Sequence, residues 1–195
     1  MFKSVILVAT VLAAVALSLP ATAAAQAFGI GPRVSFVRGD LTTNTPSTRL
    51  LGGTIRMKAS PHSTLELALD HRSTLSADGT ERVRETPFQA SLLIFPARSR
   101  LSPYLLAGVG IYSHHTDELG LDGKALSTVS ERKTGWHLGL GAELAVSRHA
   151  AFYADYRFRF VKFGGQDGAE SIPVPGLGKL SHKGSMWTTG MALYF

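Results

Sequence analysis

The sequence predicts an all-β protein: an eight-stranded antiparallel up-and-down transmembrane β-barrel, preceded by a cleavable signal peptide. Three observations predict it. Beyond residue 27 the chain divides into eight segments in which apolar side chains alternate with small, polar or charged ones, the period of a strand whose two faces meet different surroundings. The connections between these segments alternate strictly between short and long. Ahead of them stands an apolar run of the secretory kind, too short to cross a bilayer as a helix.

Residues 1–27 carry that leader. Lys3 supplies the positive start, residues 5–19 are apolar except for Thr10 and Ser18, and Pro20 ends the run. Small residues then allow cleavage after Ala25 or Ala27. The barrel domain is expected over 28–195, about 170 residues, which is one domain's worth of chain. With 20 glycines, no cysteine and 17% charged residues, the chain cannot be a disulfide-stapled secreted module. A chain that enters a membrane without an apolar helix must do so as a closed sheet, because lipid offers no partner to an open strand edge.

Taken in order, the first segment (28–38) sets Phe28, Ile30, Val34 and Phe36 against Gly29, Gly31, Arg33 and Ser35. The second (50–59) sets Leu51, Ile55, Met57 and Ala59 against Thr54, Arg56 and Lys58. In the third, Leu65, Leu67 and Leu69 oppose Glu66, Asp70 and Arg72. The fourth opposes Phe88, Ala90, Leu92 and Ile94 to Gln89 and Ser91, with Leu93 an exception on the polar face. The fifth opposes Leu105, Ala107, Val109 and Ile111 to Tyr104, Gly108, Gly110 and Tyr112, and here Leu106 is the exception. Trp136, Leu138, Leu140, Ala142, Leu144 and Val146 face away from His137, Gly139, Gly141 and Glu143 in the sixth. The seventh sets Phe152, Ala154, Tyr156, Phe158 and Phe160 against Asp155, Arg157 and Arg159, and the eighth gathers Trp187, Met191, Leu193 and Phe195 on one face.

Alternation alone does not say which face points inward, since a soluble ligand-binding barrel has the same period. The charges decide it. Arg33, Arg56, Lys58, Arg72, Arg157 and Arg159 share a face with Glu66, Asp70, Glu85, Glu143 and Asp155, whereas the middle of the apolar face is nearly free of charge. Strand direction then gathers Phe36, Phe88, Trp136, Phe158, Phe160 and Trp187 at one rim and Phe28, Phe152 and Phe195 at the other. Aliphatics lie between, the order of a lipid-facing band with two aromatic girdles. The short connections (60–63, 97–102, 147–150) are expected in the periplasm. The longer ones (41–48, 76–82, 115–131, 164–183) are expected outside the cell, with both termini periplasmic.

Residues 103–112 (PYLLAGVGIY), 135–143 (GWHLGLGAE) and 151–158 (AFYADYRF) together resemble the OmpA/OmpX/opacity-like superfamily of small outer-membrane β-barrels. The resemblance covers the whole mature chain in layout and about fifty residues in wording, through loose glycine and aromatic patterns that specify architecture rather than activity. The last segment is similar to the insertion signal of such barrels, in which Thr188, Gly190, Leu193 and Phe195 fill the characteristic places. The resemblance implies an outer-membrane location reached by export through the periplasm and insertion by the barrel assembly machinery. It also implies contact with outer-membrane lipids and lipopolysaccharide.

An eight-stranded barrel is just wide enough for its own side chains to fill it. The lumenal charges Arg33, Arg56, Lys58, Glu66, Asp70, Arg72, Glu143, Asp155, Arg157 and Arg159 are therefore expected to form a salt-bridge plug. If the turn at 60–63 pairs Lys58 with Glu66, Thr54 falls opposite Asp70, and Arg157 and Arg159 reach across to Glu66, Asp70 or Glu143. The alternative is a narrow gated channel for ions or small solutes, with room left by Gly29, Gly31, Gly108, Gly110, Gly139 and Gly141. A third is a lipid A-modifying enzyme using outward-facing His71 and Ser73, for which the neighbouring strands supply no outward Glu. His114, His115, Asp117 and Glu118 are adjacent rather than convergent, so no metal or cofactor is expected there. The basic residues, although the formal net charge is +6, are scattered rather than gathered into a nucleic-acid-binding patch. The expected role of this monomer is structural, or surface interaction through its long loops.

Overall fold

The computed structural model describes residues 28–38, 48–76, 79–119, 125–161, 171–174, 178–181 and 184–195. The expected signal peptide lies outside the described residues, as do the 41–48 connection up to residue 47 and most of the 164–183 connection. Among the described residues there are ten strands: β1 (Phe28–Arg38), β2 (Thr48–Ser60), β3 (Ser63–Leu75), β4 (Glu81–Ile94), β5 (Leu101–Leu119), β6 (Ala125–Ala145), β7 (Ala150–Val161), β8 (Ser171–Val174), β9 (Gly178–Ser181) and β10 (Ser185–Tyr194). Eight of them close an antiparallel barrel in which each of β1 to β6 pairs with the next and β10 joins β7 to β1. Strands β8 and β9 form a separate hairpin within the long connection before β10. The barrel seam is tied by the Phe195 N–H donating to the Phe28 carbonyl at 2.9 Å.

Alternation becomes an inside and an outside. Arg33, Arg56, Glu66, Asp70, Gln89, His137, Asp155 and Arg157 are buried in the lumen, whereas Leu105 and Leu140 are 59% and 58% exposed on the outer wall. This inverts a water-soluble protein and suits a wall bathed in lipid. The two leucines that broke the pattern, Leu93 and Leu106, pack in the lumen with Phe95 and Tyr104 as an apolar floor near the short-turn end. Outward aromatics gather at both rims, with Trp136 stacked on Phe160 at 4.0 Å and Tyr156 edge-on to both Phe158 and Trp187.

Two expectations need correction. The 115–131 connection is mostly strand: β5 and β6 run 19 and 21 residues and stay paired as far as Leu119 and Ala125. A spanning strand needs only about 9–11 residues, so the hairpin stands well clear of the wall, with β4 beside it as far as Glu81. Both faces of this extension meet water, so the apolar alternation that marks a membrane strand is absent there.

The second correction is the register of β2 on β3. Lys58 lies opposite Thr64, Arg56 opposite Glu66, and Gly52 opposite Asp70, because a bulge between Lys58 and Ser60 follows the Ser60–Ser63 pair. A two-residue turn at Pro61 and His62 would set lumenal residues of one strand against outward residues of the other. One extra residue on β2 restores the match of faces and slides the pairing by two from the expected one.

Candidate functional site: the charged lumen

Three arginines fill the middle of the barrel. Arg33 on β1 makes a two-pronged contact with Asp70 on β3, Nε to Oδ1 at 2.8 Å and Nη2 to Oδ2 at 2.7 Å. Arg56 on β2 donates through Nε and Nη2 to Glu66 on β3 at 2.8 and 2.7 Å, and through Nη1 to Glu143 on β6 at 3.0 Å. Arg157 on β7 binds Asp155 on its own strand, with Nε to Oδ1 at 2.6 Å, and Glu66 with Nη2 at 2.7 Å. Its Nη1 donates to Gln89 Oε1 at 3.0 Å. Glu66 is the hub, for Arg33 also lies 3.5 Å from it. In the eight-strand ring β3 and β7 are diametrically opposed, as are β2 and β6, so the Arg157–Glu66 and Arg56–Glu143 pairs each cross the full width of the lumen.

Glycines make these reaches possible. Gly52 stands in register between Arg33 and Asp70, Gly141 between Tyr104 and Asp155, and Gly108 between Ser91 and His137. In each row the flanking side chains meet over the bare backbone. Tyr104 donates its hydroxyl to Asp155 at 2.9 Å, and Ser91 Oγ lies 2.9 Å from His137 Nε2. A Cβ on Gly141 would come within 2.7 Å of Tyr104 Cζ, and one on Gly29 within 2.7 Å of Tyr194 Cε1. Beside Gly29, Gly108, Gly110 and Gly141 the room that the inward glycines were expected to leave holds neighbouring side chains, whereas at Gly31 and Gly139 the adjoining strand's backbone lies closest.

The other expected site residues lie away from this centre. Lys58 rests its Nζ 4.0 Å from the Tyr194 ring near the short-turn end. Arg72 pairs with Glu85 at 3.7 Å above the network, where both are partly exposed. Arg159 stands over Tyr112, 5.5 Å from the ring centre, and its Nε and the Tyr112 hydroxyl are both buried without a hydrogen-bond partner. They border a cavity of about 110 Å³, also lined by Leu50, Glu85 and His114. Of the four insertion-signal residues, Thr188 is buried beside Ser35 at 3.3 Å, Gly190 lies under Tyr153, and Leu193 and Phe195 face outward.

Sequence reasoning missed several members of the set. Arg98, within the 97–102 connection expected in the periplasm, bonds the Pro61 carbonyl, Thr64 and Glu143, and stacks on Phe95 at 3.6 Å. Tyr153 carries the Arg56 guanidinium 3.5 Å from its ring centre, and Tyr194 donates to Glu143 at 3.0 Å. The available signal was the set of glycines, of which Gly29, Gly110, Gly141 and Gly190 each lie under a tyrosine.

His71 and Ser73 face outward on β3; His71 Nδ1 lies 3.1 Å from Thr86 Oγ1, and Ser73 is opposite Arg84. His114 and His115 sit on opposite faces of β5, the first 3.4 Å from Glu85 and the second across from Arg84. Among the described residues no three His, Cys, Asp or Glu side chains are grouped to hold a metal ion. Outside the membrane span, Asp117 on the β5 extension accepts from Thr128 at 2.8 Å and from Arg84 at 2.7 Å. The Thr128 hydroxyl first, and then the Arg84 charge, hold its carboxyl below the ordinary range.

A closed antiparallel barrel with a greasy exterior, aromatic rims and an ion-paired interior defines an integral β-barrel membrane protein. The chain belongs to the outer membrane protein beta-barrel domain family, whose model matches residues 9–195, and its place is therefore the outer membrane. Among solved structures it is similar to Neisserial surface protein A, at 13% identity with 87% of this chain and 97% of that one covered and a TM-score of 0.60. OprG from Pseudomonas aeruginosa is similar at 18% identity, with 88% and 96% covered and a TM-score of 0.54. Ail, the attachment invasion locus protein of Yersinia pestis, is similar at 16% identity, with 86% and 96% covered and a TM-score of 0.53. At these identities the likeness is one of fold. No curated protein sequence matches the chain.

Proposed function

We propose that this protein is a closed outer-membrane barrel with a structural or surface-interaction role, its lumen sealed by the salt-bridge network and its long hairpins and loops presented outside the cell. The observation that carries this reading is the pair of diametric ion pairs, Arg157–Glu66 and Arg56–Glu143, built from arginines with no exposed side-chain surface. Opening a path would strip these charges of their partners, at several kcal/mol for each uncompensated ion. The side chains laid over Gly29, Gly52, Gly108, Gly110, Gly141 and Gly190, tyrosines and members of the network among them, support the same reading. His71 lies against Thr86 and Ser73 across from Arg84, an arrangement that favours a headgroup-level polar rim over a nucleophile and base.

Single-channel recording of the folded protein in planar bilayers tests the seal. Baseline current without steady openings is expected; large, sustained openings would sink the closed-lumen reading. Mass spectrometry of lipid A after overexpression is expected to show an unchanged acylation pattern.

A further inference from the structure

At the long-loop end of the lumen two donors are buried without an acceptor. Arg159 on β7 stands 5.5 Å from the Tyr112 ring centre, and its Nε and the Tyr112 hydroxyl have no hydrogen-bond partner among the described residues. Buried polar groups are almost always paired, so two such donors side by side mark a place where a bound molecule supplies the acceptor. Both border the cavity of about 110 Å³. A single water needs only about 10–15 Å³ of such space, so the cavity admits a small organic molecule. Local charge says which kind. Register rows place Arg72, Glu85, His114 and Glu131 side by side on the inward face, with Lys133 beside Tyr112 in the row below. Glu85 is shared between Arg72 at 3.7 Å and His114 at 3.4 Å, and Glu131 is engaged by Lys133 at 2.9 Å. Asp70, further in, is held by both prongs of Arg33. Three cations, Arg72, Lys133 and Arg159, thus meet two acids, Glu85 and Glu131, which leaves one positive charge without a counterpart.

We infer that the cavity between Arg159 and Tyr112 is a binding site for a short aliphatic carboxylate. The carboxylate accepts from the Nε edge of the Arg159 guanidinium, a two-pronged geometry, and from the Tyr112 hydroxyl. Its hydrocarbon tail lies against Val37, Leu50 and Pro87, the apolar part of the wall. A monoanion matches the single surplus charge. A phosphate dianion does not, because Glu85 lines the same cavity and repels a second negative charge. A neutral alcohol fills the apolar part but leaves Arg159 uncompensated. The entrance is the row above, where the Arg72, Glu85 and His114 side chains are 28%, 31% and 39% exposed. Two residues further in on β3, Asp70 and its partner Arg33 close the floor, so the ligand leaves by the way it came. That single entrance rests on the sealed-lumen reading; the binding itself does not.

The test is isothermal titration calorimetry of the folded full-length protein in zwitterionic detergent at neutral pH, with sodium butanoate, butan-1-ol and inorganic phosphate as titrants. Butanoate is expected to bind at one site with a Kd of about 1 mM or tighter, a strength within reach of so few heavy atoms. Butan-1-ol and phosphate should bind at least about tenfold more weakly, since the first lacks the charge-assisted bonds and the second carries the extra charge. Tyr112→Phe removes one hydrogen bond to the carboxylate and should weaken butanoate about five- to tenfold, and Arg159→Gln should weaken it at least about tenfold. Because the Tyr112 hydroxyl bonds nothing else among the described residues, Tyr112→Phe should leave the urea midpoint of the unliganded barrel at or above the wild-type value. Butanoate should raise that midpoint for the wild type and far less for the variant, a pattern that a merely structural tyrosine would not give. Heat-modifiable migration on unboiled gels reports folding of each variant, and Tyr112→Phe carries the test should Arg159→Gln not fold. No saturable butanoate binding, equal affinity for butan-1-ol or phosphate, or wild-type affinity in Tyr112→Phe would each overturn the site. Channel recordings report the seal separately: steady openings with butanoate binding intact remove the seal and leave the site, and a silent channel that binds no butanoate does the reverse.

Discussion

Glu66 is the residue on which the lumen turns, and Glu66→Gln removes its charge with almost no change of shape. Its two oxygens accept from Arg56 at 2.8 and 2.7 Å and from Arg157 at 2.7 Å. Each arginine keeps another carboxylate after the change, Arg56 with Glu143 and Arg157 with Asp155. Loss of three short charge-assisted bonds, partly replaced by neutral ones, therefore falls at the lower end of the cost of breaking a buried ion pair, about 3–4 kcal/mol of unfolding free energy. Urea titration of the barrel folded in lipid vesicles, followed by tryptophan fluorescence and by the folded band on unboiled gels, measures it. Combining Glu66→Gln with Arg157→Met should cost at least about 1 kcal/mol less than the two changes separately, because they share one contact. Glu85→Gln, which disturbs the half-exposed Arg72 pair, should cost under about 1 kcal/mol. A loss below about 1 kcal/mol for Glu66→Gln, or strict additivity with Arg157→Met, would refute the hub.

Gly141→Ala is expected to destabilise by about 1–3 kcal/mol in the same assay, since its Cβ would meet Ala154 O, Asp155 Cβ and Tyr104 Cζ at 2.6–2.7 Å; an unchanged urea midpoint would contradict the covering of the glycines. At the extension, the folded Asp117 carboxyl is held below its unfolded value, so its contribution is present above the unfolded pKa near 3.9 and is lost as pH falls through the folded value. A spin label at Ser127→Cys should therefore be immobile from pH 7 to about pH 4 and loosen below it, whereas Asp117→Asn should loosen the label already at neutral pH. A spectrum independent of both pH and the Asn substitution would show that this carboxylate does not hold the hairpin.

The architecture was legible because a lipid-facing strand has one greasy face along its whole length, and one side chain in two reports it. Residues such as Leu105, Leu140 and Phe152 reveal the wall, and the charges between them reveal the lumen. What lay beyond reach has specific causes. Where both faces meet water, as from Ser113 to Leu119 and from Ala125 to Arg132, no contrast marks the strand and the sequence reads as loop. The β2–β3 register hangs on a single bulged residue, and two pairings keep the faces matched equally well; only the closed barrel chooses Arg56 for Glu66.

The lumenal partners needed a further kind of information, because Tyr104 with Asp155, or Arg33 with Asp70, are two strands apart and sequence periodicity speaks only of neighbours on one strand. Glycine is the clue to them. A small residue between two polar ones in a register row lets the outer two meet, whereas any Cβ there would hold them apart. Tyrosines laid over glycines and arginines bridging opposite walls are thus parts of one packing solution, in which lumenal volume is filled from long side chains on one strand and bare backbone on the next. Such a row constrains substitution in pairs: enlarging Gly52 while keeping Asp70 should fail, and shortening Asp70 while keeping Gly52 should leave Arg33 without its two-pronged partner in the middle of the barrel.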